Sequence, residues 1–211
     1  MIAKRLAMVV TLFYMILGSA WASASWEEAG KVVEEATINI FQLLQNEALL
    51  QEENEEQLIH EIDIMLSPIV DFPYMAKGVM GKYYRRASQE ERERFAEVFK
   101  TTLLKTYAKT VVNFNIVEYA MVTPHKVSPD PKKQIVTVNV FADTGEKYSI
   151  IYYMKKRSQG WKLVNAILDG SVNVRLSFKN QFADMMQRNR NDVSKVIVSW
   201  KEKVDPGKGR T

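Results

Sequence analysis

The hydrophobic period of this chain changes from helical to strand spacing at Ile116, and that change limits the possible folds more than any other feature. Upstream, apolar residues recur every three or four positions, which is the stripe of helices lying on a core. Ser25-x-x-Glu28 reads as a capping box, followed by Ala29, Val33, Ala36, Ile40 and Leu44. Asn54-x-x-Gln57 opens a second helix with Leu58, Ile62, Met65, Leu66 and Ile69 on one stripe and a break near Pro68. Asp71 before Phe72-Pro73 starts a short helix that Gly78 or Gly81 stops. Ser88-x-x-Glu91 is another capping box, and Phe95, Phe99, Leu103, Tyr107, Val111 and Phe114 extend the stripe into a long helix.

Downstream, β-branched and aromatic runs are separated by turn residues. The spacing predicts strands at Ile116 to Lys126, Ile135 to Phe141, Lys147 to Lys155 and Trp161 to Leu168, punctuated by Pro124, Ser128-Pro129-Asp130-Pro131, Asp143-Thr144-Gly145 and Ser158-Gln159-Gly160. Connections this short join antiparallel neighbours. Helical spacing returns at Val174, Phe178, Phe182 and Met185, and again at Val193, Val196, Ile197, Trp200 and Val204. The fold class is therefore α+β, with helices on an antiparallel meander of about four strands. One domain is expected over 25–204, with a helical part at 25–115, a sheet at 116–169 and C-terminal helices at 173–204. Residues 205–211 lack apolar side chains and read as a disordered tail.

The first 24 residues read as a secretory signal peptide. Lys4 and Arg5 precede an apolar run from Leu6 to Ala20, and Ala20, Ala22 and Ala24 offer small-residue cleavage sites. The whole chain carries 29 Lys and Arg against 25 Asp and Glu. Removing Lys4 and Arg5 leaves 27 against 25, a net charge of +2, too balanced for a nucleic-acid binder. There is no cysteine, which excludes disulfides, thiolate metal sites, a cysteine nucleophile and a lipid-modified N-terminus. A soluble periplasmic protein is the expectation.

Catalytic patterns are wanting. His60-Glu61 lacks the second histidine of a zincin, Asp63 does not complete a zinc site, and no nucleophile arrangement points at His125. G-x-S-x-G, G-x-G-x-x-G and a Walker loop are missing, and Glu52, Glu53, Glu55 and Glu56 lack calcium-loop spacing. No enzyme activity, metal or cofactor is expected. The third strand is informative instead: Tyr148, Ile150, Tyr152 and Met154 alternate with Ser149, Ile151 and Tyr153, so neither face is cleanly polar. Either helices cover both faces, or one face lines an apolar cavity; a closed core with partly exposed tyrosines remains the plain alternative.

The stretch Val70 to Ser88, VDFPYMAKGVMGKYYRRAS, resembles the D-F-x-x-M-A-x-x-V-x-G-x-x-[WY] signature of the MlaC, or toluene-tolerance (Ttg2-type), family of periplasmic phospholipid carriers. Arg92, Phe95, Phe99, Leu103 and Tyr107 match that family's following helix, Trp161-Lys162-Leu163 through Gly170 its last long strand, and Ser177 to Phe182 its N-Y-R-S-Q-F helix. Asn165 stands where the family usually has Asp, and Gly170-Ser171-Val172-Asn173 replaces G-V-S, so the corner between sheet and helix departs from the pattern.

The resemblance implies helices on a strongly twisted, nuclear-transport-factor-like sheet that encloses an apolar lipid cavity. The implied lipid-binding residues are Leu103 and Tyr107 on the long helix, Tyr148, Ile150, Tyr152 and Met154 on the third strand, Phe72, Met75 and Val79 on the short helix, and Val138, Val140 and Val172. Lys77, Lys82 and Arg85 are candidates to meet phosphate. The implied partners are a phospholipid, an inner-membrane ABC transporter with an MCE-type subunit and an outer-membrane MlaA-type lipoprotein complex, served by a monomer that maintains lipid asymmetry and binds no nucleic acid. Hopanoid or another lipid as cargo, and a periplasmic adapter or chaperone without cargo, are the alternatives. The mature chain should begin at Ser23 or Ser25 when its N-terminus is sequenced from periplasmic material; a start at Met1 in a membrane fraction would contradict a soluble carrier.

Overall fold

Asp71 and Ser88 show how directly local chemistry sets the helices. A computed structural model describes residues 24–113 and 115–203, apart from the side chains of 109–113 and 201–203. The expected signal peptide, except for Ala24, and the expected tail at 205–211 lie outside the described residues, as do Phe114 and Val204. Helix α1 spans 24–44, and two short 3₁₀ turns lead to α2, Glu55–Leu66. Helices α3, Phe72–Met80, and α4, Gln89–Asn113, are joined by a 3₁₀ turn, Gly81–Arg85. The Asp71 carboxylate accepts from the Tyr74 amide at 3.1 Å, and Pro73 stands where a helix needs no amide donor. Gly81 ends α3 at φ +53°, a backbone angle that a β-carbon would strain. The Ser88 and Glu91 capping box is reciprocal, with the Ser88 amide donating to Glu91 at 2.8 Å and the Glu91 amide to Ser88 Oγ at 3.1 Å.

The first capping box does not form. Helix α1 already includes Ser25, and Glu28 turns to the sheet, where the Lys156 ammonium and the Trp161 indole hydrogen-bond it and hold its carboxyl below the usual range. Asn54 does precede α2, but its side chain donates to the Ala48 carbonyl at 2.7 Å and caps no amide.

The sheet is an antiparallel meander of β1, Ile116–Val122, β2, Lys133–Ala142, β3, Lys147–Arg157, β4, Gly160–Leu168, and β5, Val172–Asn173. It has five strands where about four were expected. The fifth escapes the sequence pattern because two residues carry no period; Asp169 and Gly170, both at positive φ, turn the chain into it. Helix α5, Val174–Arg188, follows at once and α6, Val193–Lys203, closes the described chain.

The departures at the corner fit one another. Asn165 donates to Asn173 Oδ1 at 3.1 Å and accepts the Arg175 amide, while Asn173 Oδ1 also takes the Leu176 amide at 3.0 Å. An aspartate at 165 has no amide hydrogen for the first of these bonds.

Two apolar clusters make the interior. In the helical one, Phe95 meets Phe182 edge-on at 4.8 Å and Trp200 at 5.1 Å, and Phe99 meets Phe178 at 5.4 Å. The second lies between α1 and one sheet face: Ala29 and Val33 pack on Val136, Val138, Val140, Met154 and Trp161. The 3.0 Å bond from Trp26 to the Ile135 carbonyl and the Phe41 and Tyr119 rings at 5.3 Å fix α1 across that face.

Asp71 also pairs with Arg157 of β3 at 2.8 Å, so it caps α3 and ties it to the sheet. Asp71→Ala should lower unfolding free energy by about 2 kcal/mol and Asp71→Asn, which keeps the cap, by about half as much in urea titrations. Equal losses would mean that the cap contributes nothing.

Candidate functional site

Strand β3 is hydrogen-bonded on both sides, between β2 and β4, yet its residues from Tyr148 to Tyr153 all keep accessible surface. The register separates the two faces. Val136, Val138 and Val140 of β2 oppose Tyr152, Ile150 and Tyr148, and of these Tyr152 and Ile150 oppose Ala166 and Leu168 of β4. This inner face is the one that α1 covers in part. On the outer face, Thr137 and Ile135 oppose Ile151 and Tyr153, which pack into neither apolar cluster.

The inner face is where the two clusters fail to merge. Leu163 packs against both, while Ala166 and Leu168 meet only the helical cluster and Ile150 and Tyr152 only the sheet cluster. Tyr152 keeps accessible surface, although burial pushes its hydroxyl up to about 12. Tyr107 of α4 has the same two properties, half-buried with its hydroxyl likewise up to about 12 through burial. Neither hydroxyl has a hydrogen-bond partner among the described residues, and neither has its oxygen packed out of reach. A buried tyrosine ordinarily finds a partner. These partly covered side chains mark the part of the inner face where an apolar recess between the two clusters is to be sought.

The residues anticipated as a lipid site divide into two groups. Leu103, Tyr107, Tyr148, Ile150, Tyr152 and Val172 keep accessible surface. Phe72, Met75 and Val79 are buried in the helical cluster, and Val138, Val140 and Met154 in the sheet cluster. The Tyr148 ring joins the sheet cluster, but its hydroxyl donates to Glu146 at 2.8 Å, and that carboxylate raises it above the ordinary tyrosine range. Ala166 and Leu168 were not anticipated; the alternation of β4 against β3 is the signal that marks them. Lys77, Lys82 and Arg85 are exposed on α3 and the turn after it.

Polar chemistry lies elsewhere. Two open surface clefts occur, one of about 450 Å³ at Asp71, Arg157 and Lys162 and one of about 290 Å³ at Glu91, Arg94 and Ser194. Neither contains a residue of the inner face. Among the described residues no three His, Cys, Asp or Glu side chains gather as metal ligands. No described helix is long and apolar enough to cross a membrane.

The family model described as MlaC protein matches residues 34–202. The chain belongs to the MlaC family. It is 35% identical over 145 residues to the toluene tolerance protein ttg2D of Pseudomonas putida, covering 68% of this chain and 66% of that protein. It is 25% identical over 118 residues to the intermembrane phospholipid transport system binding protein MlaC of Haemophilus influenzae, covering 54% and 55%. The matches thus span less than two thirds of either relative. A phospholipid-binding protein from Ralstonia solanacearum, solved in complex with a phospholipid, superposes with a TM-score of 0.73 at 22% identity over 87% of this chain and 99% of that one. That likeness shows the α+β fold.

A paired substitution tests the recess. Val138 and Ile150 face each other across β2 and β3, the first 1% exposed and the second half-buried. Val138→Glu should cost several kcal/mol and prevent folding, because its carboxylate has no water to meet. Ile150→Glu should fold with near-native thermal stability. Equal collapse of both variants would place Ile150 in a closed core.

Proposed function

We propose that this MlaC-family chain is a periplasmic phospholipid carrier that holds acyl tails against the inner face of β3 and moves lipid between an outer-membrane MlaA-type lipoprotein complex and an inner-membrane ABC transporter with an MCE-type subunit. The single observation that carries the reading is at Tyr152, an inner-face side chain that keeps accessible surface between the two apolar clusters and whose hydroxyl has no partner among the described residues. The named relatives and the phospholipid-bound structural neighbour support the same cargo. The expected signal peptide supports the compartment, because it would export the chain before the domain folds.

At ~0.8 kcal/mol per methylene, a lipid with two long acyl chains faces on the order of 20 kcal/mol for crossing water unshielded. Aliphatic and aromatic walls such as Leu103, Ile150, Ala166 and Leu168 would replace that exposure with apolar contact. Transfer from membrane to protein is then close to balanced, which suits a shuttle that must also release its load. The unpartnered Tyr107 and Tyr152 hydroxyls are donors that ester carbonyls of an acylglycerol could accept from. No bond is made or broken, so the reading needs no nucleophile and no metal.

Native mass spectrometry of protein purified without detergent should show adducts of diacyl phospholipid mass, and organic extraction should release several head groups. Treatment with EDTA should leave the adducts in place. Protein that carries no lipid, or loses it to a chelator, contradicts the proposal.

A further inference from the structure

Two segments of the helical half carry cations and no carboxylate between their flanking acidic residues, Asp71 and Glu90 for one and Asp169 and Asp184 for the other. Residues 72–89, which run from α3 through the 3₁₀ turn to the first residue of α4, contain Lys77, Lys82, Arg85 and Arg86 and no carboxylate; residues 170–183, from the turn before β5 into α5, contain Arg175 and Lys179 and again none. The structure joins these two segments into one surface. Arg175 Cδ lies 2.7 Å from where a β-carbon on Gly78 would stand, and Lys179 Cε lies 3.3 Å from the equivalent point on Gly81. One turn apart on α5, the two cations therefore lie across the two glycines of α3 and its C-terminal end. Lys77 sits 5.1 Å over the Tyr84 ring, which Arg92 approaches to 4.5 Å, and Lys82 sits 5.1 Å over Tyr83.

None of Lys77, Lys82, Arg85, Arg86, Arg175 and Lys179 pairs with a carboxylate among the described residues. Elsewhere Lys100, Lys133, Lys156, Arg157, Arg188 and Lys195 each have one. In the middle of the unpaired set, between Arg175 and Lys179, Leu176 is 50% exposed.

We infer that this surface docks on a bilayer bearing anionic phospholipid head groups, with the cations over the phosphates and Leu176 entering the head-group layer. A shaped acidic protein would call for guanidinium groups held in fixed geometry. Here most of the cations stand exposed on flexible stems, and neither described cleft includes any of them. A fluid anionic surface needs no fixed geometry, and an apolar side chain among cations suits its interface. The inference rests on the carrier reading for its purpose, since a carrier that meets the membrane through this side would be held where lipid enters and leaves.

Flotation of the full mature protein with phosphatidylcholine vesicles, alone or mixed with phosphatidylglycerol, tests it, with lipid extraction from the same samples. The protein should float with the mixed vesicles only, and high salt should release it. Lys77→Gln, Lys82→Gln and Lys179→Gln should each lower the bound-to-free ratio about fivefold. Leu176→Ser should weaken binding at every salt concentration, while Lys31→Gln and Lys195→Gln should leave it unchanged. Lys179→Gln, Leu176→Ser and the two control variants should extract with the wild-type amount of lipid. Failure to float at low salt, equal flotation with both vesicle types, or equal losses in the two control variants overturns the inference. Binding to polyglutamate without binding to vesicles also overturns it, in favour of an acidic protein. Cation variants that lose cargo but still float assign these side chains to the cargo site, which overturns docking as well. Wild type that floats but carries no lipid leaves docking standing and removes the carrier reading.

Discussion

Two backbone hydrogen bonds at Leu163 decide where the helical half sits. The Leu163 amide donates to Ile69 at 2.7 Å and its carbonyl accepts from Asp71 at 2.9 Å, so residues 69–71 cover part of an exposed edge of β4. At the same point the register between β3 and β4 shifts, leaving Val164 as an extra residue that bends the strand. The Asp71 and Arg157 ion pair sets α3 against that end of the sheet, and α4 and α5 pack on α3. Helix α1 is fixed independently, across β1, β2 and the ends of β3 and β4, by Phe41, Trp26 and Glu28. Each helical unit therefore covers its own part of the inner face. Ile150 and Tyr152 lie between the two coverings and keep accessible surface.

That arrangement keeps stability and accessibility in different places. The closed aromatic packing of Phe95, Phe99, Phe178, Phe182 and Trp200 holds the helices together, with Leu163, Ala166 and Leu168 of β4 packed against its edge. Burial of Val136 and Val138, with Ala29 and Val33 above them, holds α1 to the sheet. The side chains between can therefore remain accessible while the fold keeps two complete supports. A recess filled by a flexible apolar ligand gains dispersion contacts on both walls, and without a ligand it costs the protein only the contacts its lining lacks.

The chain's own chemistry made much of this legible. Asp71 with Pro73, and Ser88 with Glu91, announce helix starts because cap chemistry is local. The four long strands follow from β-branched runs between turn residues, and the family likeness singled out the face of β3 that turns inward. Ser25 misled because a capping box needs only two side chains in sequence, whereas Glu28 finds stronger partners in Lys156 and Trp161, more than 120 positions away. Phe72, Met75 and Val79 share the composition of a cavity wall yet pack shut against α4 and α5, since apolar residues read alike whether they face a neighbour or a ligand. Strand β5 and the Asn165 and Asn173 pair depend on tertiary closure that no local pattern encodes.

The face of β3 that meets the cargo is the central claim, and neighbouring residues on that strand report it. Protein loaded with ¹³C-labelled phospholipid should give nuclear Overhauser contacts from acyl methylenes to the side chains of Ile150 and Tyr152 and to Leu168 opposite them. Ile151 and Tyr153, one position away on the outer face, should give none. Acyl contacts to Ile151 and Tyr153 with silence at Ile150 and Tyr152 would contradict the account, because the cargo would then lie outside the recess.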